Sequence, residues 1–375
     1  MNEFKKVFVG LSGGVDSSVA AYLLKKKNYD VVGVHLRCWN VNGCDLREAE
    51  DARRVANHLD IPFYVLNLEE EYKKAVVDYM VDGYRKGLTP NPDVMCNKEI
   101  KFGLFLKKAL EMGADYIATG HYVKIEKSKI KNQNDNSKFK IVYKLFQAKD
   151  ANKDQSYFLW TLTQEQLRHC LFPVGDYLKS EVRALAKEVG LPTAEKKDSQ
   201  GICFVGKVTL SDFLSQYIKE APGNILTTDG RVVGTHPGVQ FYTIGQRQGL
   251  GVALNTPHYV AERDTKTNTV VLAPENDQSL YRKEITLSSV NFINHRTFQH
   301  SQECKNVLVR IRYRQPLAPA TLYKILDTPV VEQSSPRGKA RYEIHFAEPQ
   351  KFVAPGQSAV FYSQEGEMLG GGIIS

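Results

Sequence analysis

The chain has 375 residues, long for one compact domain, so two or three domains are expected. Its 42% hydrophobic and 25% charged residues exclude a wholly disordered chain, and no apolar run approaches the roughly 18 residues a membrane helix needs. A formal net charge of +8 suits an anionic partner such as nucleic acid but does not require one.

The first half alternates short apolar runs with helical patterns. KVFVG (residues 6–10) reads as a buried strand, and DVVGVHL (30–36) and IPFYVLNL (61–68) read as the next two strands. Helical patterns at residues 17–27, 48–59 and 101–112 separate them and lead to ADYIATGHY (114–122), a strand ending in glycine and histidine. This alternation predicts an α/β fold, a doubly wound parallel sheet with helices on both faces. The polar stretch at 126–140 reads as an exposed hairpin tip or a mobile insertion. Helical patterns return at 163–170 and 180–189. After residue 207 Gly, Thr and Val rise, with turn pairs such as Asp229-Gly230, and from Ile285 short alternating strands suggest a small β-barrel or sandwich. The expected division is a catalytic domain over 1–206, a small mixed central domain over 207–284 and a β-barrel over 285–375.

The strongest local signal is GLSGGVDSS, residues 10–18, where a strand hands over to a helix. Glycines there let the backbone approach a ligand, and the N–H groups of a helix start bind anions. Gly10, Leu11, Ser12, Gly13, Gly14, Val15, Asp16 and Ser17 are therefore candidate ATP contacts. The loop lacks the Gly-Lys-Ser/Thr ending of the Walker type, which fits pyrophosphate release better than transfer of the γ-phosphate. Asp16 is a candidate holder of the Mg2+ that accompanies ATP. The motif resembles the signature of the ATP-pyrophosphatase-loop enzymes, which adenylate a carbonyl or carboxylate. By that resemblance Leu36, ending the second strand, and Gly120, in TGH, would contact the adenosine.

Six scattered cysteines with no repeated CxxC and no leader before the first strand argue for thiols in a reducing, cytoplasmic setting. In NPDVMCNKEIKF (91–102) Asp93 precedes Cys96 by three residues, and Lys98 and Lys101 follow. Nearby cations favour a thiolate, and Asp93 could act as acid or base. A buried structural cysteine beside a helix cap fits the spacing equally well. In DSQGICFVG (198–206) glycines flank Cys203, which suits a thiol on a bent loop, with the same alternative open. Cys38 and Cys44 have no second pair at zinc-site spacing, and no resident metal is expected.

SGGVDSS, TPNPDVMCNKEIKF, ATGHY, KDQSYFLW, DSQGICF, QFYTIGQRQGLG, VRIRYRQ and PGQSAVFY together, in this order from residue 7 to about 363, resemble the tRNA-specific 2-thiouridylases of the MnmA/TrmU family. The resemblance implies ATP-dependent adenylation of the wobble uridine O2, then sulfur transfer from a persulfide on Cys203. That persulfide would be supplied by a cysteine desulfurase or a relay protein. Cys96 would be the partner thiol in a transient disulfide, and Asp93 the acid/base. Asn91, Pro92 and Asp93 would touch the target base, while His121, Lys153, Asp154, Gln155, Arg312, Tyr313 and Gln357 would contact tRNA. His35 and Leu36 stand where the family commonly carries a Phe-Met pair.

In KNVLVRIRYRQ, alternation predicts a strand with Arg310, Arg312 and Arg314 on one face, suited to phosphates and base stacking. From residue 285 the excess is mild, ten Lys/Arg against seven Asp/Glu, so an ordinary solvated face also fits. Neither a membrane nor DNA is expected as a partner. Rival readings are another loop enzyme of this superfamily, such as a 4-thiouridine synthase, or a non-catalytic tRNA-binding protein regulated by ATP.

Overall fold

Val7 and Val9 are fully buried and Phe8 nearly so, as a strand covered on both faces requires. In the computed structural model, which describes residues 4–38, 44–132, 135–197, 209–294, 303–325 and 341–375, this run is β1 (Lys6–Gly10). It is followed by β2 (Asp30–Arg37), β3 (Phe63–Asn67) and β4 (Tyr116–Ala118). A long hairpin, β5 (Lys124–Asn132) and β6 (Asp135–Phe146), intervenes before the short β7 (Cys170–Leu171). β1, β2, β3, β4 and β7 form one parallel sheet in the order β3-β2-β1-β4-β7. The chain steps outward from β1 to β3, then returns to the other side of β1 with β4. Such a reversal opens a crevice at the carboxyl ends of the strands, and both β1 and β4 end there.

The helix expected at 101–112 starts earlier. One helical run extends from Pro92–Met95 through a π-helical stretch, Cys96–Phe105, to Leu106–Glu111. Asn91 explains the start, because its side chain accepts from the Val94 N–H at 3.2 Å and Pro92 occupies the first turn. Asp93 and Cys96 therefore ride on a helix. The pattern at 163–170 yields only the turn Gln164–Leu167, because Cys170 is taken into the sheet beside Ile117.

The second sheet contains β8 (Gly223–Thr227), β9 (Val232–His236), β10 (His258–Asp264) and β11 (Thr269–Pro274). Its order is β10-β11-β8-β9, with β11 and β8 parallel. Gly230, at φ +83°, supplies the left-handed residue that the turn from β8 to β9 needs. The third unit comprises β12 (Tyr281–Phe292), β13 (Cys304–Arg310), β14 (Ala318–Ile325), β15 (Arg341–Lys351), β16 (Ser358–Tyr362) and β17 (Glu367–Ile374). These six close into an antiparallel barrel, because β17 pairs back with β12. The β5–β6 hairpin extends the same sheet through β6 and β17, where Leu145 faces Met368.

Shared cores join the units. Tyr157 and Trp160 pack with Val360, Tyr362 and Met368 of the barrel. The Trp160 indole donates to Ser358 Oγ at 3.0 Å, and the Tyr157 hydroxyl donates to the Ser358 carbonyl at 2.9 Å. Tyr72, Met80 and Ile100 pack with Phe213, Ile225 and Val260 around the second sheet. Among the described residues no helix is long and apolar enough to cross a membrane.

Candidate active site

The loop after β1 enters a helix, Val15–Lys26, whose cap residue Gly14 offers no side-chain acceptor. The first-turn N–H groups thus lie at the positive end of a helix without a side-chain cap. Ser17 Oγ ties the turn by accepting from Ser12 N–H at 3.2 Å and donating to the Gly14 carbonyl at 3.1 Å. Gly13 sits at φ +71°, and a Cβ there would meet the Glu48 carbonyl oxygen at 2.5 Å. Leu11 and Val15 are buried anchors on either side. The end of β4 comes down on this turn, since a Cβ on Gly120 would lie 2.6 Å from Ser17 N and 2.7 Å from the Asp16 carbonyl carbon. Leu36 is partly buried and packs on the core that includes Val94. The structure therefore brings the loop and Gly120 together at the ends of β1 and β4, while Leu36 lies near the end of the neighbouring β2.

Asp16 already has two partners. Tyr122 donates its hydroxyl to Oδ1 at 2.8 Å, and Lys179 Nζ lies 2.6 and 2.7 Å from the two carboxylate oxygens. Sequence reading missed Lys179, which arrives from the start of helix Lys179–Glu188 and is only 12% exposed. A signal was present, because a lysine at the first position of a helix opposes the helix dipole and calls for another reason to be there. Asp150 fixes that position by accepting from the Lys179 N–H at 2.9 Å. The cation that the loop lacks in sequence is supplied beside it in space.

The helix bearing Asp93 and Cys96 packs against the same crevice. Phe102 lies 5.8 Å from the His121 ring, centroid to centroid, and Phe105 approaches Gly10. Cys96 is half-buried and packs, with Leu36 and Cys38, on one apolar cluster. His121 is buried against Phe102 and Phe172, and its Nδ1 is 2.8 Å from Thr119 Oγ1. Burial, helped by the positive charge of Lys101, holds the imidazole well below its usual range, so it is neutral at pH 7. Cys203 and the rest of residues 198–208 lie outside the described residues.

Burial raises the Asp93 carboxyl above its ordinary 3.8, and Lys101 pulls it partway back. The folded chain therefore holds this proton more tightly than the unfolded chain. The group's contribution to stability falls as pH rises from 3.8 through the folded value. Asp93→Asn is expected to melt above the parent at pH 7 and to lose that advantage below the ordinary carboxylate range, as read by melting curves across pH. Its turnover should drop about a hundredfold or more, the scale of a lost acid/base group. A lower melting temperature than the parent at pH 7 would contradict the burial cost.

Several of the residues singled out for RNA contact, Asp154, Arg312, Tyr313 and Gln357, lie where the units meet. Asn91 caps the helix, and Pro92 is buried in its first turn. Lys153 is half-buried. Asp154 is buried, ion-paired with Arg310 at 3.3 Å, and accepts from Ala148 N–H and Ser156 N–H. Gln155 Oε1 accepts from the Tyr122 N–H at 3.0 Å. The expected row of three guanidiniums on one strand face does not form. β13 ends at Arg310, which turns inward to Asp154, and the chain then bends, with Arg314 at φ +65° and exposed. Arg312 donates to the carbonyls of Ile244 at 2.8 Å and Phe352 at 3.3 Å. Tyr313 packs on Phe158 at 4.5 Å. A buried carboxylate took Arg310 and backbone carbonyls at the seam took Arg312, which alternation alone cannot foresee. Gln357 Nε2 donates to the Thr89 carbonyl at 2.8 Å, and Thr89 N–H donates to Pro355 O at 2.7 Å. Arg263, also missed in the sequence, donates to Gly87 O and Thr89 Oγ1 at 2.8 and 3.0 Å. The central sheet and the barrel thus both grip the turn that leads into Asn91, Asp93 and Cys96.

Residues 5–207 match the family model described as the tRNA methyl transferase HUP domain, residues 211–274 the tRNA methyl transferase PRC-barrel domain, and residues 282–374 the aminomethyltransferase beta-barrel domain. The chain is 43% identical over 99% of its length to the tRNA-specific 2-thiouridylase MnmA of Clostridioides difficile, covering 98% of that protein. It is 44% identical to the MnmA of Halalkalibacterium halodurans, with 99% and 95% of the two chains covered. The Flavobacterium johnsoniae MnmA is 42% identical, with 99% of this chain and all of that one covered. With three consecutive domain matches and relatives aligned end to end, the chain belongs to the MnmA family of tRNA-specific 2-thiouridylases.

Proposed function

We propose that this protein replaces the C2 oxygen of the wobble uridine of tRNA with sulfur, consuming ATP. The observation that carries the reading is the meeting of three parts at one crevice: the uncapped helix start after β1, the Gly120 turn after β4, and the helix bearing Asp93 and Cys96. A pyrimidine carbonyl oxygen is a poor leaving group. Its attack on the α-phosphorus of ATP expels pyrophosphate and leaves the oxygen bonded to AMP. The terminal sulfur of a Cys203 persulfide then adds to C2, and AMP departs with the oxygen. The Cys96 thiolate attacks Cys203 Sγ, so the bond to the transferred sulfur breaks, 2-thiouridine leaves and a Cys96–Cys203 disulfide remains. A thiol reductant returns two electrons, which suits the cytoplasm. Asp93, held more protonated by burial, moves the proton at the base.

The residues fit ATP. The first-turn N–H groups and Lys179 face the phosphate end, and the absent side chain of Gly120 leaves room for the close approach of backbone. Mg2+ arriving with the nucleotide would draw on Asp16, whose oxygens otherwise face Lys179 and Tyr122. The sulfur donor would be a cysteine desulfurase or a relay protein.

Incubation of unmodified tRNA with the protein, ATP and a persulfide donor, followed by nucleoside analysis, tests this. The expected product is 2-thiouridine at the wobble position, with AMP and pyrophosphate formed alongside. 4-Thiouridine, or tRNA binding with no thionucleoside, would replace the reading with one of its rivals.

A further inference from the structure

The β5–β6 hairpin is not used by the chemistry above, yet it is the most basic segment of the chain. From Lys124 to Lys144 it carries seven lysines against Glu126 and Asp135, five of the protein's eight excess positive charges. Its register shows how they are laid out. Lys127 pairs with Tyr143 and Lys129 with Ile141, while Phe139 follows two residues from Ile141 on the same face. Directly opposed residues share a face, and side chains alternate with period two. One face thus interleaves lysines with Tyr143, Ile141 and Phe139, and the other carries Ser128 opposite Val142.

The two faces differ in burial. Val142 is 3% exposed, packed toward the body, whereas Phe139 is 63% and Ile141 52% exposed, with Lys127 and Lys129 exposed beside them. The base of the hairpin is neutralised, since Lys124 pairs with Asp176 at 3.5 Å and Lys144 with Glu367 at 2.8 Å. Among the described side chains no carboxylate lies within ion-pair distance of Lys127 or Lys129. Lys127 and Lys129 alternating with exposed rings and aliphatic chains on a β-ribbon are the arrangement that meets a nucleic acid, with charge for phosphates and apolar faces for sugars and bases. The hairpin is also continuous with the candidate RNA surface. It starts three residues after His121, ends seven before Lys153, and is hydrogen-bonded to barrel strand β17.

We propose that the outer face of the β5–β6 hairpin is an arm that grips the phosphate backbone of the substrate tRNA. The inference rests on tRNA being the substrate, and the test separates the two. Binding of unmodified tRNA to the parent and to a K127Q/K129Q variant is measured from 50 to 200 mM salt, with melting curves confirming that both fold. The parent is expected to bind tRNA. The variant should bind about five- to tenfold more weakly at low salt, and its plot of log affinity against log salt should be shallower by about 1.5, the loss of two phosphate contacts. F139A should weaken binding without changing that slope. Equal affinity and slope in parent and K127Q/K129Q would overturn the arm while leaving the proposed function standing. A parent that binds no tRNA would sink the functional reading itself. A variant that binds tRNA normally but accepts sulfur poorly from the donor protein would make the face a protein-docking surface and overturn the proposal.

Discussion

Cys203→Ser is expected to abolish 2-thiouridine formation, by about a thousandfold or more, while pyrophosphate release from ATP and tRNA continues. The proposed mechanism divides the labour between activation and sulfur delivery. Adenylation needs the loop and the carbonyl oxygen, not a thiol. Sulfur delivery needs a sulfur whose bond to the protein can break, and a serine oxygen cannot carry a transferable one. Covalent intermediates of this kind are all-or-none, and losing the nucleophilic atom costs orders of magnitude. Cys96→Ser should fail at the following step. It should accept a persulfide on Cys203, visible as added sulfur by mass spectrometry of the intact protein, yet form no Cys96–Cys203 disulfide and little thiolated tRNA. Thiolated tRNA from Cys203→Ser protein would remove Cys203 from the role of carrier. A sulfur adduct on Cys96 in that variant would exchange the two roles.

How much of this site is readable from sequence depends on the range of the interaction that places each part. The phosphate loop is local. Gly13 takes a left-handed φ of +71° and Ser17 bonds to Ser12 and Gly14 within the same turn, so residues 10–18 are legible as a motif. Strands β1 and β2 are legible because burial on both faces writes itself as an apolar run, whereas β3, at the sheet edge, keeps Tyr64 and Val65 exposed. The helix start at Pro92 was also written locally, as Asn-Pro-Asp, but the apolar periodicity that marks a helix begins later, at about Ile100. Lys179, Arg263 and the inward turn of Arg310 were not legible. Each is placed by a partner more than 150 residues away: Asp16, Gly87 and Thr89, or Asp154. Alternation predicted an exposed arginine face because it counts only residues on the same strand. It has no knowledge of a buried carboxylate at a domain seam. The hairpin shows the same limit in reverse. Its polar tip is plain in sequence, but its membership of the barrel sheet depends on β17, more than 200 residues later.

Lys179→Met is expected to reduce pyrophosphate release by about a hundredfold or more, with tRNA binding retained. A fixed cation beside the phosphate-binding turn stabilises charge that develops as pyrophosphate departs, and losing one preorganised donor of this kind costs on that scale. The competing explanation is that Lys179 merely neutralises Asp16. The pair is largely shielded, at 12% and 33% side-chain exposure, so removing one member leaves a poorly solvated charge. Lys179→Met should therefore also melt below the parent. Asp16→Asn in the same protein removes the stranded carboxylate, while Tyr122 keeps an acceptor at that position. The D16N/K179M double variant should recover most of the lost melting temperature and none of the pyrophosphate release. Recovery of stability and activity together would reduce Lys179 to a structural counter-ion. Recovery of stability alone places both charges in the adenylation step, where neither can be exchanged for a neutral isostere.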